Sequence, residues 1–365
     1  KERKGVWSLA RGETMSGTNT DMAMRQFEVE NNIQTVDADS IYRIDETYEE
    51  MIREQKPWKK DFHYFKKTKI SAVALIKMVM HARSGGDLEV MGMLQGRVDG
   101  DTFIVMDAFA IPAEGIETRV DPGADGLPYI VEYVENQRRV GRQEKTLGWY
   151  HSHPGYGCWL SGIDVATQAL HQDYEDPWLA IVVDPKRTMS AGKVDIGCFR
   201  TYPQNYTPPD QAESEWQPIP QDKIEDFGTH HNRYYTLETS FFKSSVDSAM
   251  LALLWEKYWV NTLASSSLVA NRLYSAGQLK DLARKLDDAD SKLQAANRML
   301  GSGGRQGGAI PVKQSSVLAP LTRDASKNTI EHLGGMMNLV VKDFVFNHRA
   351  DMGAIAVDKG KHEAM

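Results

Sequence analysis

The sequence predicts an α/β domain followed by a long helical region. Helical and strand patterns alternate from residue 71 to about residue 205, which is typical of α/β or α+β folds. After Ser244 the pattern becomes helical and includes apolar residues at alternating spacings of three and four, as in coiled coils and helix bundles. We therefore expect an N-terminal extension at 1–60, a main domain at 61–243 and C-terminal helices at 244–365.

The composition is that of an ordinary globular protein. Of 365 residues, 41% are hydrophobic and 25% are charged. The net charge of -7 argues against nucleic acid or an anionic membrane as a main partner, because both attract basic surfaces. No apolar run approaches the roughly 18 residues of a membrane span. The basic first four residues are not followed by an apolar core, so we expect no signal peptide.

The two cysteines, Cys158 and Cys198, are too few for a disulfide framework in a chain of this size. This usage predicts a reducing compartment inside the cell. The polar residues 1–60 show little periodicity and predict an irregular extension, which Trp7, Tyr42 and Trp58 could anchor to the main domain.

The main domain is predicted to begin with a capped helix and a hairpin. Ser71 precedes a helical apolar pattern that Gly85 and Gly86 end. The dipeptide Asp99-Gly100 favours a tight turn between two strands. The other predicted elements are strands at 89–96, 102–111, 146–151, 179–183, 194–199 and 234–242, helices at 127–140 and 162–172, a long loop at 113–126 and an irregular insertion at 203–232.

The C-terminal region is predicted to hold a helix at 251–263 and two long amphipathic helices joined by the glycine-rich segment 301–308. Apolar residues repeat at helical spacing in both long helices, at Leu279, Leu282, Leu286, Ala289, Leu293, Ala296 and Leu300, and again at Ile330, Leu333, Met337, Val340 and Phe344. These stripes, called here the apolar seams, either pack on one another and on helix 251–263 or dock on another chain. The sequence leaves both alternatives open.

A metal site is predicted where strand 146–151 meets the next helix. His151 and His153 are two residues apart on a strand, so their side chains point the same way. Asp164 follows in the first turn of the helix that Ser161 begins. Separately, the histidine pair could be accidental and Ser161 with Asp164 only a capping box. Together they leave one tetrahedral position open, which is the arrangement of a catalytic zinc ion.

A hydrolytic zinc site also needs a base, and Glu89 begins a strand of the same sheet. The alternative is a solvated glutamate at a strand end. Cleavage would then use water acidified by the metal, with Glu89 taking the water proton and passing it to the leaving amine.

The pattern His151-x-His153-x7-Ser161-x2-Asp164 with an upstream Glu89 resembles the signature of the JAMM (MPN+) metalloprotease family. Residues 89–92 and 148–164 are similar to the branch that supplies the catalytic subunit of the COP9 signalosome, and proteasome-lid deubiquitinases share much of this stretch. The resemblance covers roughly residues 40 to 265 well and the helical tail loosely.

The resemblance implies an MPN domain, in which helices flank a mixed β-sheet, with one Zn²⁺ held by His151, His153 and Asp164. Glu89 would be the general acid/base, and Ser161 would donate a hydrogen bond to the oxyanion. The loop 113–126 would gate the site through the regulatory residues Arg119 and Thr118, the first by pairing with Asp164 or covering the zinc. The alternative is a solvated surface loop.

The implied reaction is removal of a ubiquitin-like modifier from cullin lysines, called deneddylation. The implied partners are other signalosome subunits, bound through the C-terminal helices and an MPN–MPN contact, and cullin-RING ligases carrying the modifier, with no nucleic acid or membrane. The implied location is cytoplasm and nucleus. Two alternatives stay open: a deubiquitinase of the proteasome-lid type and a noncatalytic MPN scaffold.

Overall fold

A computed structural model describes most of the chain between residues 21 and 343. The described residues are 21–43, 45–112, 114–116, 119–121, 123–204, 206, 208, 217–259, 262, 267–301 and 314–343. The helices are α1 (21–30), α2 (Ala38–Tyr42), α3 (Glu46–Gln55), α4 (Ala72–Ser84), α5 (Gly123–Arg139), α6 (Gly162–Glu175), α7 (Pro185–Ala191), α8 (Ile224–His230), α9 (Ser245–Tyr258), α10 (Ser267–Ala270), α11 (Arg272–Gly301) and α12 (Gln314–Asp343). No helix in this part of the chain is both long and apolar enough to cross a bilayer.

A mixed sheet of nine strands forms the centre of the main domain, so the predicted α/β class is confirmed. The strands are β1 (Gln34–Thr35), β2 (Lys67–Ser71), β3 (Met91–Asp99), β4 (Thr102–Ala110), β7 (Lys145–Ser152), β8 (Leu179–Asp184), β9 (Asp195–Thr201), β10 (Tyr234–Thr236) and β11 (Glu238–Lys243). Their order is β1-β11-β2-β4-β3-β7-β8-β9-β10, and β7 and β8 are parallel neighbours.

Local sequence signals place the first elements of the main domain. The Ser71 hydroxyl accepts a hydrogen bond from the Val73 amide and begins α4, and Gly85 caps its end, as predicted. Gly100 has a φ of 56°, which a glycine adopts without strain, and it joins β3 to β4 in the predicted hairpin. The helix α4 packs its buried face on the sheet and against α9, where Leu251, Trp255 and Tyr258 are buried.

The prediction of an irregular extension at 1–60 is wrong for residues 21–55, which hold three helices and a short strand. Phe27 explains why sequence periodicity missed the first of them, α1: its ring lies 5.4 Å from that of Trp255 and 5.0 Å from that of Tyr258, centroid to centroid. Helix α1 is therefore stabilised by contacts with a distant part of the chain. Trp58 is buried, as an anchor would be, and Trp7 lies outside the described residues.

Three other predicted boundaries change. The loop 113–126 contains a small hairpin of β5 (Glu114–Ile116) and β6 (Arg119–Asp121), and α5 already begins at Gly123. The single strand at 234–242 is two strands, because Leu237 lies between them and donates its amide to the Cys198 carbonyl at 2.9 Å. Since β10 and β11 lie near opposite ends of the strand order, this connection means that the sheet curls back on itself.

Three helices also differ from the prediction. Helix α8 lies within the predicted irregular insertion 203–232, so that prediction is wrong for residues 224–230. The seven-residue helix α7 was not predicted, because a helix of that length is too short to show a periodic pattern. Helix α9 begins at Ser245 and ends at Tyr258, rather than spanning 251–263, and it packs in the main core. The proposed domain boundary at residue 244 stays a prediction.

The long helices α11 and α12 make polar contacts with each other and with the main domain. Lys285 on α11 lies 2.7 Å from Asp324 on α12, and both are buried. Several residues of the apolar seams instead face outward: Leu279, Leu286, Ile330 and Met337 are 50–68% exposed, whereas Ala289 is buried. Leu300 and Phe344 have no described side chains. Packing of the seams on one another therefore does not occur at these residues, and docking on another chain stays a prediction.

Candidate metal centre

The candidate site lies at the end of β7. His151 pairs with Val182 of the parallel strand β8, and His153 follows one residue after β7 ends. The chain then turns and enters α6, which places Asp164 in the first helical turn beside the two histidines. One ligand atom from each of these three side chains lies within 4.8 Å of the others. The structure thus brings the three predicted ligands together.

The distances between the ligand atoms test whether a zinc ion fits. The two Nε2 atoms are 3.0 Å apart, and Oδ2 of Asp164 lies 3.3 Å from His151 Nε2 and 3.6 Å from His153 Nε2. Tetrahedral ligands bound at typical zinc distances are ~3.3 Å apart. The three residues therefore fit a zinc ion, and their role as ligands stays a prediction.

The orientation of His153 is fixed by its second nitrogen. Nδ1 lies 3.0 Å from the Gly157 carbonyl oxygen, which can only accept, so Nδ1 carries the proton. Its Nε2 is consequently free to bind a metal, as metal-binding histidines require. Nδ1 of His151 is buried and finds no hydrogen-bond partner among the described atoms.

Aromatic rings enclose both imidazoles. Trp149 stacks on His151 with centroids 4.7 Å apart, and Tyr156 stacks on His153 at 4.4 Å. The edge of Trp159 meets His153 at 5.5 Å. These contacts leave both histidines almost completely buried, and burial strengthens electrostatic interactions within the cluster.

The charges of the cluster favour a cation between its members. Burial alone would lower the pKa of His151, but the carboxylates of Asp164 and Glu89 outweigh it and raise the pKa above the ordinary value. Burial alone would raise the pKa of Asp164, yet the imidazoles of His151 and His153 hold it well below its usual range. A divalent ion would satisfy the same preference for positive charge.

Glu89 is buried beside these ligands, with 6% of its surface exposed. Ser152 holds the backbone next to it: the Val90 amide donates to Ser152 Oγ, and the Ser152 amide donates to the Val90 carbonyl, both at 3.0 Å. The Tyr156 hydroxyl donates a hydrogen bond to Oε1 of Glu89. The alternative of a solvated glutamate at a strand end is therefore wrong, while the role of Glu89 as base stays a prediction.

Ser161 begins α6 through a capping box. Its hydroxyl accepts from the Asp164 amide at 3.2 Å and donates to Asp164 Oδ2 at 2.7 Å, and its own amide donates to Oδ2 at 2.8 Å. The capping interpretation is therefore confirmed, and Ser161 also orients a candidate ligand. Its role as a donor to an oxyanion stays a prediction.

The gating residues are not tested by these contacts. Thr118 lies outside the described residues, and Arg119 is described as part of β6 without its side chain. The gate therefore stays a prediction.

Sequence reasoning missed four contributors to the site: Trp149, Tyr156, Gly157 and Asp184, whose carboxylate accepts the Gly157 amide at 2.9 Å. The aromatic residues clustered at 149–159 were the available signal, whereas Asp184 preceding Pro185 indicates only a helix N-cap.

Known families and proteins match almost the whole chain. The family described as JAB1/Mov34/MPN/PAD-1 ubiquitin protease matches residues 63–177, and the Cop9 signalosome subunit 5 C-terminal domain matches residues 264–347. The chain is similar to COP9 signalosome complex subunit 5 of Dictyostelium discoideum, with 54% identity over 333 residues that cover 91% of this chain and 98% of that protein.

Two further relatives show similar values. Subunit 5b from Arabidopsis thaliana is 52% identical over 91% of this chain and 94% of its own length. Subunit 5 from Drosophila melanogaster is 53% identical over 90% of this chain and 98% of its own length. With identity of this level over nearly the full length, the chain belongs to the COP9 signalosome complex subunit 5 family.

Proposed function

We propose that this chain is the catalytic subunit of a signalosome-type complex and hydrolyses, with zinc, the isopeptide bond that joins a ubiquitin-like modifier to a cullin lysine. The convergence of His151, His153 and Asp164, with the buried Glu89 beside them, is the observation that supports this proposal most strongly. The relatives named as signalosome subunits support the assignment to the complex.

His151 and His153 would hold the zinc ion through Nε2, and Asp164 would hold it through its carboxylate. When bound, zinc supplies Lewis acidity, which lowers the pKa of water and polarises a carbonyl group. The amide and the hydroxyl of Ser161 both donate to Asp164 Oδ2 in the capping box. The carboxylate is therefore already held in place and would need little rearrangement to bind zinc.

Glu89 would move the proton. Tyr156 donates to Oε1, which fixes the carboxylate and leaves Oε2 to accept a proton from the attacking water. The same carboxylic acid would then protonate the departing lysine amine, as a general acid/base must do in both halves of the reaction. The rings of Trp149 and Tyr156 exclude bulk water from the two histidines.

The exposed residues of the tail support docking on partners. The apolar seams of α11 and α12 would pack on helices of other signalosome subunits, and an MPN–MPN contact would join the main domain to a second such domain. Cullin-RING ligases carrying the modifier would be the substrates. The proposed location is cytoplasm and nucleus.

A cleavage assay in the assembled complex tests this function. We expect zinc-dependent cleavage of modifier from cullin, a much slower cleavage of ubiquitin chains, and loss of both with a chelator. Preference for ubiquitin chains would favour the proteasome-lid type of activity, and no chelator-sensitive cleavage would favour a scaffold.

Glu89→Gln isolates the proposed base. The change keeps the shape and removes the proton acceptor, so we expect a loss of about 10²–10⁴ in kcat with zinc content unchanged. Glu144→Gln is the matched control, because the Glu144 side chain is also only 8% exposed. It pairs with Arg142 at 2.9 Å and precedes β7, at the end of that strand opposite to the ligands. Turnover of Glu89→Gln at the rate of the control would remove Glu89 from the mechanism.

A further inference from the structure

The turn between His153 and α6 is held by groups outside the predicted ligand set. Gly155 and Gly157 have φ values of 94° and 91°, a left-handed conformation that side chains other than glycine rarely adopt. The Gly157 carbonyl is the acceptor that fixes the proton of His153 on Nδ1. The position of this turn therefore sets the direction in which His153 Nε2 points.

Asp184 holds the turn through hydrogen bonds to its backbone. Its side chain is fully buried at the end of β8, and its carboxylate accepts the Gly155 amide at 3.0 Å and the Gly157 amide at 2.9 Å. The same carboxylate accepts the amides of Lys186 and Arg187, both at 3.0 Å, and so begins α7. One carboxylate thus joins the turn to the first residues of a helix.

The C-terminal helix α11 also contacts the turn, through Tyr274. The ring of Tyr274 is so close to Gly155 that a Cβ atom there would lie 3.0 Å from Tyr274 Cδ2. Just before α11, Asn271 donates to the Lys186 carbonyl at 2.7 Å and to Ser190 Oγ at 2.6 Å. The start of α11 is therefore hydrogen-bonded to α7 and packs against the turn.

We propose that Asp184 and Tyr274 are positioning residues for the metal ligand His153. Asp184 fixes the turn by accepting two of its backbone amides, and the Tyr274 ring on α11 packs against Gly155 in the same turn. Docking of the tail is in this way linked to the geometry of the ligand, since displacing Tyr274 frees Gly155 to move and carries the Gly157 carbonyl with it. The inference rests on the proposed zinc site.

Asp184→Asn tests the first support. An amide side chain has one acceptor oxygen in place of two, so it cannot hold both turn amides together with the α7 amides. We expect zinc affinity, measured by competition with a chromogenic chelator, to fall about 10- to 100-fold, as when other partners of metal-binding histidines are removed. The visible spectrum of the cobalt-substituted chain should change in parallel, because it reports ligand geometry.

Asp247→Asn is the matched control for folding. Asp247 is also a buried aspartate, 1% exposed, that takes part in the capping box of α9, far along the chain from the ligands. We expect it to lower the melting temperature while zinc affinity and the cobalt spectrum stay as in the unmodified chain.

Tyr274→Ala tests the contact of the tail with the turn. It also tests the positioning of His153 if Asp184→Asn does not fold. We expect a weaker zinc affinity and an altered cobalt spectrum, with both restored in Tyr274→Phe, which keeps the ring on Gly155. Affinity and spectrum equal to those of the unmodified chain in either Asp184→Asn or Tyr274→Ala would overturn the proposal and leave the proposed function intact. An unmodified chain that binds no zinc would instead overturn the proposed function itself.

Discussion

Replacing Ser161 with alanine separates its two roles, as helix cap and as donor to the reacting carbonyl. As a cap, the hydroxyl accepts the Asp164 amide at 3.2 Å, and loss of a serine N-cap typically costs about 1 kcal/mol of stability. As a donor to a developing oxyanion, the hydroxyl would contribute ~10²–10³ in rate, or about 3 to 4 kcal/mol. The two roles therefore differ in size as well as in the property that they change.

The chain contains a close internal control. Ser244 begins α9 with the same capping box: the Asp247 amide donates to Ser244 Oγ at 3.1 Å, and the Ser244 amide donates to Asp247 Oδ2 at 2.9 Å. Because Ser244 is fully buried, its replacement should cost at least as much stability as that of Ser161. It should leave turnover unchanged.

The assay compares kcat per bound zinc with the free energy of unfolding in urea for Ser161→Ala and Ser244→Ala. We expect both variants to lose stability by about 1 kcal/mol and only Ser161→Ala to lose ~10²–10³ in kcat. Normalising to bound zinc is necessary because Ser161 also donates to Asp164 at 2.7 Å. A kcat of Ser161→Ala within threefold of that of Ser244→Ala, a band of about 0.7 kcal/mol, would reduce Ser161 to a cap and refute the donor role.

Three further predictions concern pH, gating and assembly. Burial raises the pKa of Asp195 from 3.8 to about 6, so its neutral form stabilises the fold below pH ~4 and this stability is lost as the pH rises through 6. Asp195→Asn should therefore stabilise the chain by about 1 to 3 kcal/mol at pH 8 and hardly at all at pH 4, in paired melting curves; an equal gain at both values would contradict this. If the gate exists, Arg119→Ala should raise the basal rate of the isolated chain, and unchanged kinetics would argue against gating. Leu286 and Ile330 are 50% and 66% exposed, so changing both to glutamate should leave the melting temperature within a few degrees. The double variant should co-purify more weakly with other complex subunits. Undiminished co-purification would rule out the seams as a docking surface.

The parts of the fold that the sequence predicts well are those fixed by near neighbours. Ser71 caps α4 through an amide two residues away, and Gly100 allows the hairpin between adjacent strands. Helix α1 escaped prediction because Phe27 gains its packing from Trp255 and Tyr258, more than 200 positions away in the chain.

The same distinction applies to the site. His151, His153 and Asp164 lie within one strand–turn–helix unit, so their convergence follows from local geometry. The contact of Asp184 with the turn needs two parallel strands to be neighbours, which local patterns do not specify. The exposure of the seam residues likewise could not be read from their spacing, because α11 and α12 meet at the buried polar pair of Lys285 and Asp324.

A crystal of the zinc-loaded complex, measured on both sides of the zinc absorption edge, tests the central claim most directly. We expect one anomalous peak at ~2.0–2.2 Å from Nε2 of His151, Nε2 of His153 and a carboxylate oxygen of Asp164. A zinc peak bound elsewhere, for instance by the thiol of Cys158, with those three side chains turned apart, would contradict it.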